Sequence, residues 1–340
     1  MRGRRSGDVL GINNARLAAK VEQVRTEQME RVRRRLGSAV PAHVLSEAWL
    51  TDVSAAIREE ELERVWSHPD YPEMARRFAA LGAPRTADNA MVNHALRDSA
   101  RLVAGIWALY LHAGGGLTHS RLDALLDVAG SGGRARSAAM IAYMRFLGYI
   151  EPAAAADGRE RRYQPTDRMR GAFRRYFADQ LEVGRMLEPR VQRMLARMDD
   201  AAAFDAFMAV LGEGLLITAL LHRLNTGPSL SVFSGRRSGM VILWELLLMA
   251  PAGEVWPTRE TFPYTVAELA RRCGVSRTHV LRTLRETEAV GMLALEGEGR
   301  IRILDMLHVE VNSFVALSLI CLNACALWVT DPAGAAAGSA

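Results

Sequence analysis

Apolar residues recur at helical spacing along most of this chain, which predicts helices as its main element. Residues 102–112 and 240–249 are strongly apolar, and residues 168–187 carry several aromatic side chains. Residues 204–224 are apolar on almost every side, which indicates a helix that is buried within a bundle or between subunits. The pattern therefore predicts a mainly α protein.

Three further helices are predicted in the N-terminal part of the chain. Residues 10–36 form a basic helix, because Leu17, Val21, Val24 and Val32 recur near helical spacing. Residues 44–66 and 72–81 form two more, which are separated by Ser67-His68-Pro69. Residues 83–86 are typical of a linker.

The order of elements in residues 95–167 returns in residues 235–305. Each unit has an apolar helix with a tryptophan, a short helix, a longer helix, and a turn between two strand-like runs. Trp107 and Trp244 are 137 positions apart, and Gly148 and Gly291 are 143 apart. This spacing predicts a duplicated module of three helices and a β-hairpin, here called the first and the second unit.

In the second unit, residues 266–272 and 277–290 are predicted helices that meet across a tight turn. Ala270 supplies a small side chain at the point of contact, and Gly274 suits a positive backbone angle. Ser276 is placed to cap the second helix with its hydroxyl. We expect Val275, Val280 and Leu284 to fix that helix to the core.

The run Gly274-Val-Ser-Arg-Thr, followed by Leu284-Arg-Glu-Thr-Glu-Ala-Val-Gly291-Met-Leu, resembles the winged helix-turn-helix of regulators of the Crp and GntR type. The first unit is more similar to the MarR group, through its glycine turn 114–116, its Leu117-Thr118 pair and its arginine-rich hairpin. It departs from that pattern at residues 129–133, where the turn is longer and rich in glycine. The resemblance implies two tandem winged helices joined by a helical linker, with double-stranded DNA as the partner.

The exposed face of a recognition helix supplies the candidate DNA contacts. Such a helix lies in the major groove, and arginine binds guanine there through two hydrogen bonds. In the second unit the candidates are Ser276, Arg277, Thr278, His279, Arg282, Arg285 and, on the wing, Arg300. In the first unit they are Arg134, Arg136, Ser137 and, on the wing, Arg159, Arg161 and Arg162.

Charge is distributed unevenly between the two units. Residues 131–175 carry ten arginines against four acids, whereas residues 266–304 carry seven against five. Residues 1–36 carry ten basic against four acidic side chains, so the remaining chain is nearly neutral at a total of +5. Glu296 and Glu298 at the second wing would face phosphate, so we expect the second unit to bind DNA mostly through its helix, or to contact protein instead.

We expect no metal, cofactor or catalytic centre. Cys321 and Cys325 lie in apolar surroundings, which is typical of buried cysteines, and three cysteines exclude a disulfide framework. The sequence offers no Ser/His/Asp, Cys/His or paired-carboxylate arrangement, so an enzyme is not predicted.

Residues 312–330 contain no charge and are long enough to cross a bilayer. Polar residues such as Asn312 and Asn323 fall near one helical face, and no basic cluster flanks the segment. A buried or partner-facing helix is therefore favoured over a membrane span.

The sequence thus divides into a basic arm (1–40), a helical segment (41–94), the first unit (95–167), a helical linker or dimerisation region (168–234), the second unit (235–305), an apolar helix (306–330) and a disordered tail (331–340). Sequence-specific transcriptional regulation in a bacterial cytoplasm, on the nucleoid, is the predicted function. Two alternatives stay open, a scaffold that uses winged helices to dock proteins and a replication initiator. A pseudo-dimer of the two units and a homodimer through the apolar helices also both stay open, as does a small-molecule effector.

Overall fold

The computed structural model describes residues 59–83, 99–128, 133–153, 161–224, 230–297 and 299–331. Within these ranges the chain is mainly helical, as predicted. The predicted basic helix 10–36, most of the helix 44–66, most of the linker and the wing residue Arg159 lie outside the described residues.

Helix α1 (Glu59–Trp66) and helix α2 (Tyr71–Gly82) are separated at the predicted break. The first unit then follows as α3 (Ser99–Ala113), α4 (His119–Val128), α5 (Arg134–Phe146) and the strands β1 (Ile150–Pro152) and β2 (Tyr163–Pro165). The two strands pair antiparallel, with Ile150 opposite Pro165 and Pro152 opposite Tyr163. The sequence pattern predicts the helices of this unit at residues 102–112, 118–128 and 134–147, and the observed bounds agree to within three residues.

Between the units lie α6 (Asp167–Leu187), a 3₁₀ turn (Pro189–Val191), α7 (Gln192–Leu195), α8 (Ala201–Leu224) and α9 (Ser231–Ser234). The second unit contains α10 (Gly239–Met249), β3 (Phe262–Pro263), α11 (Val266–Cys273), α12 (Arg277–Ala289), β4 (Leu293–Glu296) and β5 (Arg300–Ile303). Its strands form an antiparallel sheet in the order β3-β5-β4. The sequence pattern did not predict α7, α9 or β3, because each is four residues or shorter and lacks a visible period.

The last helix, α13 (Asp305–Thr330), organises the helical core between the units. It packs against α8 and α6 most extensively, and also against α1, α7 and α2. Gly184 on α6 lets α13 approach closely, since a Cβ atom there would overlap Asn323. The Asn323 side chain donates to the Gly184 carbonyl over 2.9 Å, which fixes the register of the two helices.

Helix α13 is long and apolar enough to cross a membrane, and 44% of its most apolar stretch is buried inside the protein. The preference for a buried helix over a membrane span stays a prediction. Directly after α13, the Asp331 carboxylate is 3.2 Å from the Arg193 guanidinium, and the predicted tail boundary at residue 331 stays a prediction. Residues 332–340 lie outside the described residues.

The second unit is joined to this core through α10, which lies against α2. Trp244 on α10 is buried and contacts Phe78 and Phe314, with ring centroids 6.2 and 5.8 Å away. Gly82 makes room for the indole, because a Cβ atom at this position would lie 2.6 Å from it. Arg76 on α2 donates to the Ala250 carbonyl just after the end of α10 (3.2 Å). The orientation of the second unit is therefore fixed by apolar packing at the base of the unit.

Candidate nucleic-acid interface

The turn between α11 and α12 has the chemistry that the sequence predicted. Gly274 adopts φ of 64° and ψ of 39°, and its N–H bonds to carbonyls at the end of α11. The Ser276 hydroxyl accepts from the His279 backbone N–H over 3.2 Å and so caps α12. Ala270 is buried where the helices meet. These features set the angle between the two helices.

Helix α12 presents one face to the core and one to solvent. Val280 and Leu284 are buried, and Thr283 is buried with its hydroxyl donating to the His279 carbonyl (3.0 Å). Four candidate residues lie on the exposed side: Arg277, Thr278, Arg282 and Arg285. The three arginines among them form no ion pair with another described residue. An exposed positive helix face of this kind suits the DNA major groove.

His279 is only partly exposed and is not directed freely to solvent. Its Nε2 atom lies 2.9 Å from the carbonyl oxygen of Arg237, which precedes α10. Its Nδ1 atom lies 3.3 Å from a guanidinium nitrogen of Arg282. The His279 ring therefore lies between the Arg237 carbonyl and the side chain of Arg282, which is itself a candidate DNA contact.

The arginines of α11 are held by carboxylates. Arg271 and Arg272 each donate to Glu268 over 2.7 Å, and these bonds lower the pKa of that carboxyl to about 2. Arg272 also lies 3.4 Å from the buried carboxylate of Glu245 on α10. The charge of these arginines is thus largely balanced beside the candidate interface.

The wing of the second unit is also internally paired. Arg300 donates to the Thr261 carbonyl over 2.9 Å. Glu296 accepts from Arg302 (2.8 Å) and from the Thr261 hydroxyl (3.0 Å), and these two bonds, the first more strongly, lower the pKa of Glu296. Glu298 lies outside the described residues. On this wing Glu296 pairs with Arg302, whereas Arg300 is exposed, contacts only a neutral carbonyl and stays a predicted DNA contact.

The first unit repeats backbone contacts of the second at the end of the longer helix. In the first unit the Tyr149 N–H bonds to the Met144 carbonyl over 2.8 Å. In the second unit the Met292 N–H bonds to the Thr287 carbonyl over 3.1 Å. Gly148 lies in the turn of the first unit and has φ of 67°, and the corresponding Gly291 has φ of 75°.

The start of the short helix is also alike in the two units. The Thr118 hydroxyl accepts from the Arg121 N–H over 3.3 Å, and the Thr265 hydroxyl accepts from the Glu268 N–H over 3.2 Å. Just before this point, Leu117 bridges Tyr163 in the first unit. In the second unit, β3 pairs with β5 in the same place.

The candidate residues of the first unit are not all exposed. Arg134, Arg136, Arg161 and Arg162 are exposed and form no ion pair with another described residue. Ser137 is 1% exposed, and its hydroxyl donates to the Arg134 carbonyl over 3.1 Å. The expectation that Ser137 contacts DNA is therefore corrected, because the first turn of α5 points this side chain into the core.

The start of α5 differs from that of α12. Gly133 precedes α5 with φ of 140° and no side-chain cap. Its backbone N–H donates instead to the Asp123 carboxylate on α4, over 3.0 Å. A carboxylate from α4 thus contacts the residue that precedes α5, whereas α12 starts with the hydroxyl cap of Ser276.

Among the described residues, no group of three or more His, Cys, Asp or Glu side chains is placed to hold a metal ion. Cys273 and Cys325 are buried and Cys321 is partly buried. Burial raises the pKa of the Cys321 thiol to about 11 and also raises that of Cys325, so both thiols stay protonated at neutral pH.

The comparison with protein families agrees with the geometry of the second unit. Residues 242–308 match the family model of the Crp-like helix-turn-helix domain. The match covers α11, α12 and both strands of the wing, and it supports a winged helix-turn-helix regulator that binds DNA. Comparison with curated proteins and with solved structures gave no match. The Crp-type resemblance is confirmed for the second unit, and the MarR-like character of the first stays a prediction.

Sequence reasoning missed the segment that precedes the Crp-like domain. Arg236 forms an ion pair with Glu286 of α12, and the Arg237 carbonyl contacts His279. Short helix α9 packs against both α10 and α12. The adjacent Arg236-Arg237 pair was the available signal, but two arginines in an arginine-rich chain do not indicate a contact.

Proposed function

We propose that this protein is a sequence-specific, non-enzymatic DNA-binding regulator of transcription that acts in the bacterial cytoplasm, on the nucleoid. The observation that carries the proposal is the exposed face of α12 within the Crp-like domain. Three arginines on this face, Arg277, Arg282 and Arg285, have no acidic partner among the described residues. They lie on a helix whose start is fixed by a cap and whose other face is buried, so they extend from a rigid support.

We further propose that the first unit is a second winged helix, similar to the MarR group. The repeated turn at Gly148 and Gly291 supports this, as do the repeated threonine caps and strand pairing. Helix α5 would then be the counterpart of α12, with Arg134 and Arg136 at its exposed N-terminal end. One chain would thereby contact DNA at two places.

The two units divide the binding task in this proposal. The first wing keeps Arg161 and Arg162 exposed, which suits sequence-independent contacts to phosphates. On the second wing Arg302 is paired with Glu296, so the second unit would read base edges mainly through α12. Affinity would come mainly from the first unit and the site preference from the second.

A binding selection on genomic DNA tests the proposal. The purified protein is incubated with sheared DNA of its own genome at near-physiological salt, and the retained fragments are sequenced. We expect a few sharp peaks that share a motif. In a variant with Arg277, Arg282 and Arg285 all changed to Ala, these peaks should disappear. The matched control is Arg271→Ala, an exposed arginine on α11, which should leave the peaks in place.

The positions of the peaks then separate the possible roles. Peaks at promoters support regulation, and peaks confined to an origin indicate a replication initiator. Retention without peaks would contradict sequence-specific binding. No retention at all would contradict DNA binding and would favour the alternative in which the units dock proteins.

A further inference from the structure

The Crp-like match begins at residue 242, yet α12 is held by residues that precede it. The Arg236 guanidinium pairs with Glu286 in the last two turns of α12, and the Arg237 carbonyl meets His279 in its first turn. Both contacts come from the turn between α9 and α10. This turn therefore braces α12 near both ends.

The turn is itself narrowly constrained. Ser238 adopts φ of 59°, which is uncommon for a residue other than glycine. A Cβ atom at Gly239 would lie 2.0 Å from the Phe233 carbonyl oxygen, so the backbones approach closely there. With Phe233 fully buried, the direction of the Arg237 carbonyl is set by the core.

The two contacts of the His279 ring determine its tautomer. A carbonyl oxygen only accepts, so Nε2 must donate to Arg237 (2.9 Å). A guanidinium only donates, so Nδ1 must accept from Arg282 (3.3 Å). A neutral ring with its proton on Nε2 satisfies both bonds at once, and a protonated ring would place a proton against the Arg282 guanidinium.

We propose that His279 does not contact DNA but positions Arg282 for base recognition, through a hydrogen-bond relay from Arg282 through the imidazole to the Arg237 carbonyl. The relay ties an exposed guanidinium to the backbone of a rigid turn. A long arginine side chain that is already oriented loses less conformational freedom on binding a guanine edge. This inference rests on the proposed function, and it makes His279 a positioning residue.

The state of the ring in the free protein is the first test, and it needs no DNA. In protein labelled with ¹⁵N-histidine, ring ¹H–¹⁵N correlations should show His279 as the neutral tautomer with its proton on Nε2. Arg282→Ala should shift the Nδ1 resonance, because the acceptor loses its donor. A ring that carries its proton on Nδ1, or an Nδ1 resonance that Arg282→Ala leaves unchanged, would overturn the relay.

The second test measures base preference in a randomised pool of double-stranded oligonucleotides. Arg282→Ala should remove the preference at one base position, and His279→Ala should weaken the preference at that same position by about five-fold, the effect of one hydrogen bond. The double variant should match Arg282→Ala alone, since His279 acts through Arg282. His279→Asn should restore only part of the preference, because its amide oxygen can take the place of Nδ1 but the shorter side chain has no group at the Nε2 position to bond the Arg237 carbonyl.

The outcomes separate the inference from the function beneath it. If His279→Ala changes a different base position from Arg282→Ala, or if the two losses multiply in the double variant, His279 contacts DNA itself and the positioning role is wrong. If the unaltered protein selects no motif, the proposed function fails, and the ring tautomer alone then decides whether the relay exists. Thermal melting of His279→Ala and His279→Asn checks that both variants are folded.

Discussion

The first and second units share a backbone plan but differ in where their charges go. In the second unit Glu245, Glu268 and Glu296 pair with Arg272, Arg271 and Arg302, and three exposed arginines on α12 have no acidic partner among the described residues. In the first unit, four exposed arginines on α5 and its wing have no acidic partner among the described residues. If both units bind DNA as proposed, they would serve different contacts, because unpaired charges contribute more to DNA binding than paired ones.

The surroundings of two buried carboxyls, one on α10 and one on α8, also differ. Glu245 on α10 of the second unit is buried and lies 3.4 Å from a cation. Glu213 on α8 is buried near Tyr110 on α3 of the first unit, and burial raises its pKa to about 9. Glu245 is therefore accommodated in the interior by the nearby Arg272 cation, whereas Glu213 is accommodated there by keeping its proton.

The largest effect is expected from Glu213→Gln. The folded state keeps this carboxyl protonated up to about pH 9, whereas the unfolded chain ionises above about 4.5. Wild-type stability is therefore lost as the pH rises through this window, and the glutamine variant does not share that loss. At pH 8 the variant should be more stable, on the order of 5 kcal/mol, with a gain of about 1 kcal/mol at pH 5.

Urea titration at the two pH values measures this difference. Glu182→Gln, at an exposed acid on α6, is the control and should change little at either pH. A Glu213→Gln variant that is less stable than wild type at pH 8 would mean that the Glu213 carboxyl is ionised in the folded protein.

Arg272→Ala and Arg271→Ala test the charge-compensated side of the comparison. Both arginines contact Glu268, but only Arg272 reaches the buried Glu245. Arg272→Ala should lower the free energy of unfolding by about 2 kcal/mol, because it leaves a carboxylate buried without its cation. Arg271→Ala should cost at most about 0.5 kcal/mol. Equal losses in urea titration would show that Glu245 does not depend on Arg272.

Arg282→Ala and Arg136→Ala test whether both units read sequence. Arg282→Ala should lose about 1–3 kcal/mol of binding free energy at the selected site, with non-specific affinity nearly unchanged. If Arg136 contacts only phosphate, its removal should weaken binding to all sequences alike. Fluorescence anisotropy on specific and scrambled duplexes separates the two patterns, and a uniform loss for Arg282→Ala would place that residue on phosphate.

The smallest effect is expected from the wings. Changing Arg161 and Arg162 together to Ala should reduce the slope of log affinity against log salt by about 2, because each arginine neutralises one phosphate. Arg302→Ala should leave the slope nearly unaltered, because the Glu296 carboxylate already pairs with this arginine. A slope that changes equally in both variants would remove the distinction between the wings.

Much of the second unit could be predicted because its signals are local. A glycine with positive φ, a serine cap and a helical apolar spacing each depend on a few neighbouring residues, and Gly274, Ser276 and Leu284 were identified from these signals. The helices of the first unit were found in the same way. Ser137 was misplaced because which side of a helix faces the core near its first turn depends on what packs there.

The sequence alone determined the helical class, the bounds of the long helices and the chemistry of the α11–α12 turn, since these follow from the order of neighbouring residues. Only the tertiary structure decided which arginines are exposed and which are bonded, as for Arg300 to Thr261 and His279 to the Arg237 carbonyl. These partners are 39 and 42 positions apart. Contacts over such separations are set by how α9 and the wing pack against α12 and against neighbouring strands, and no local period in the sequence encodes that packing.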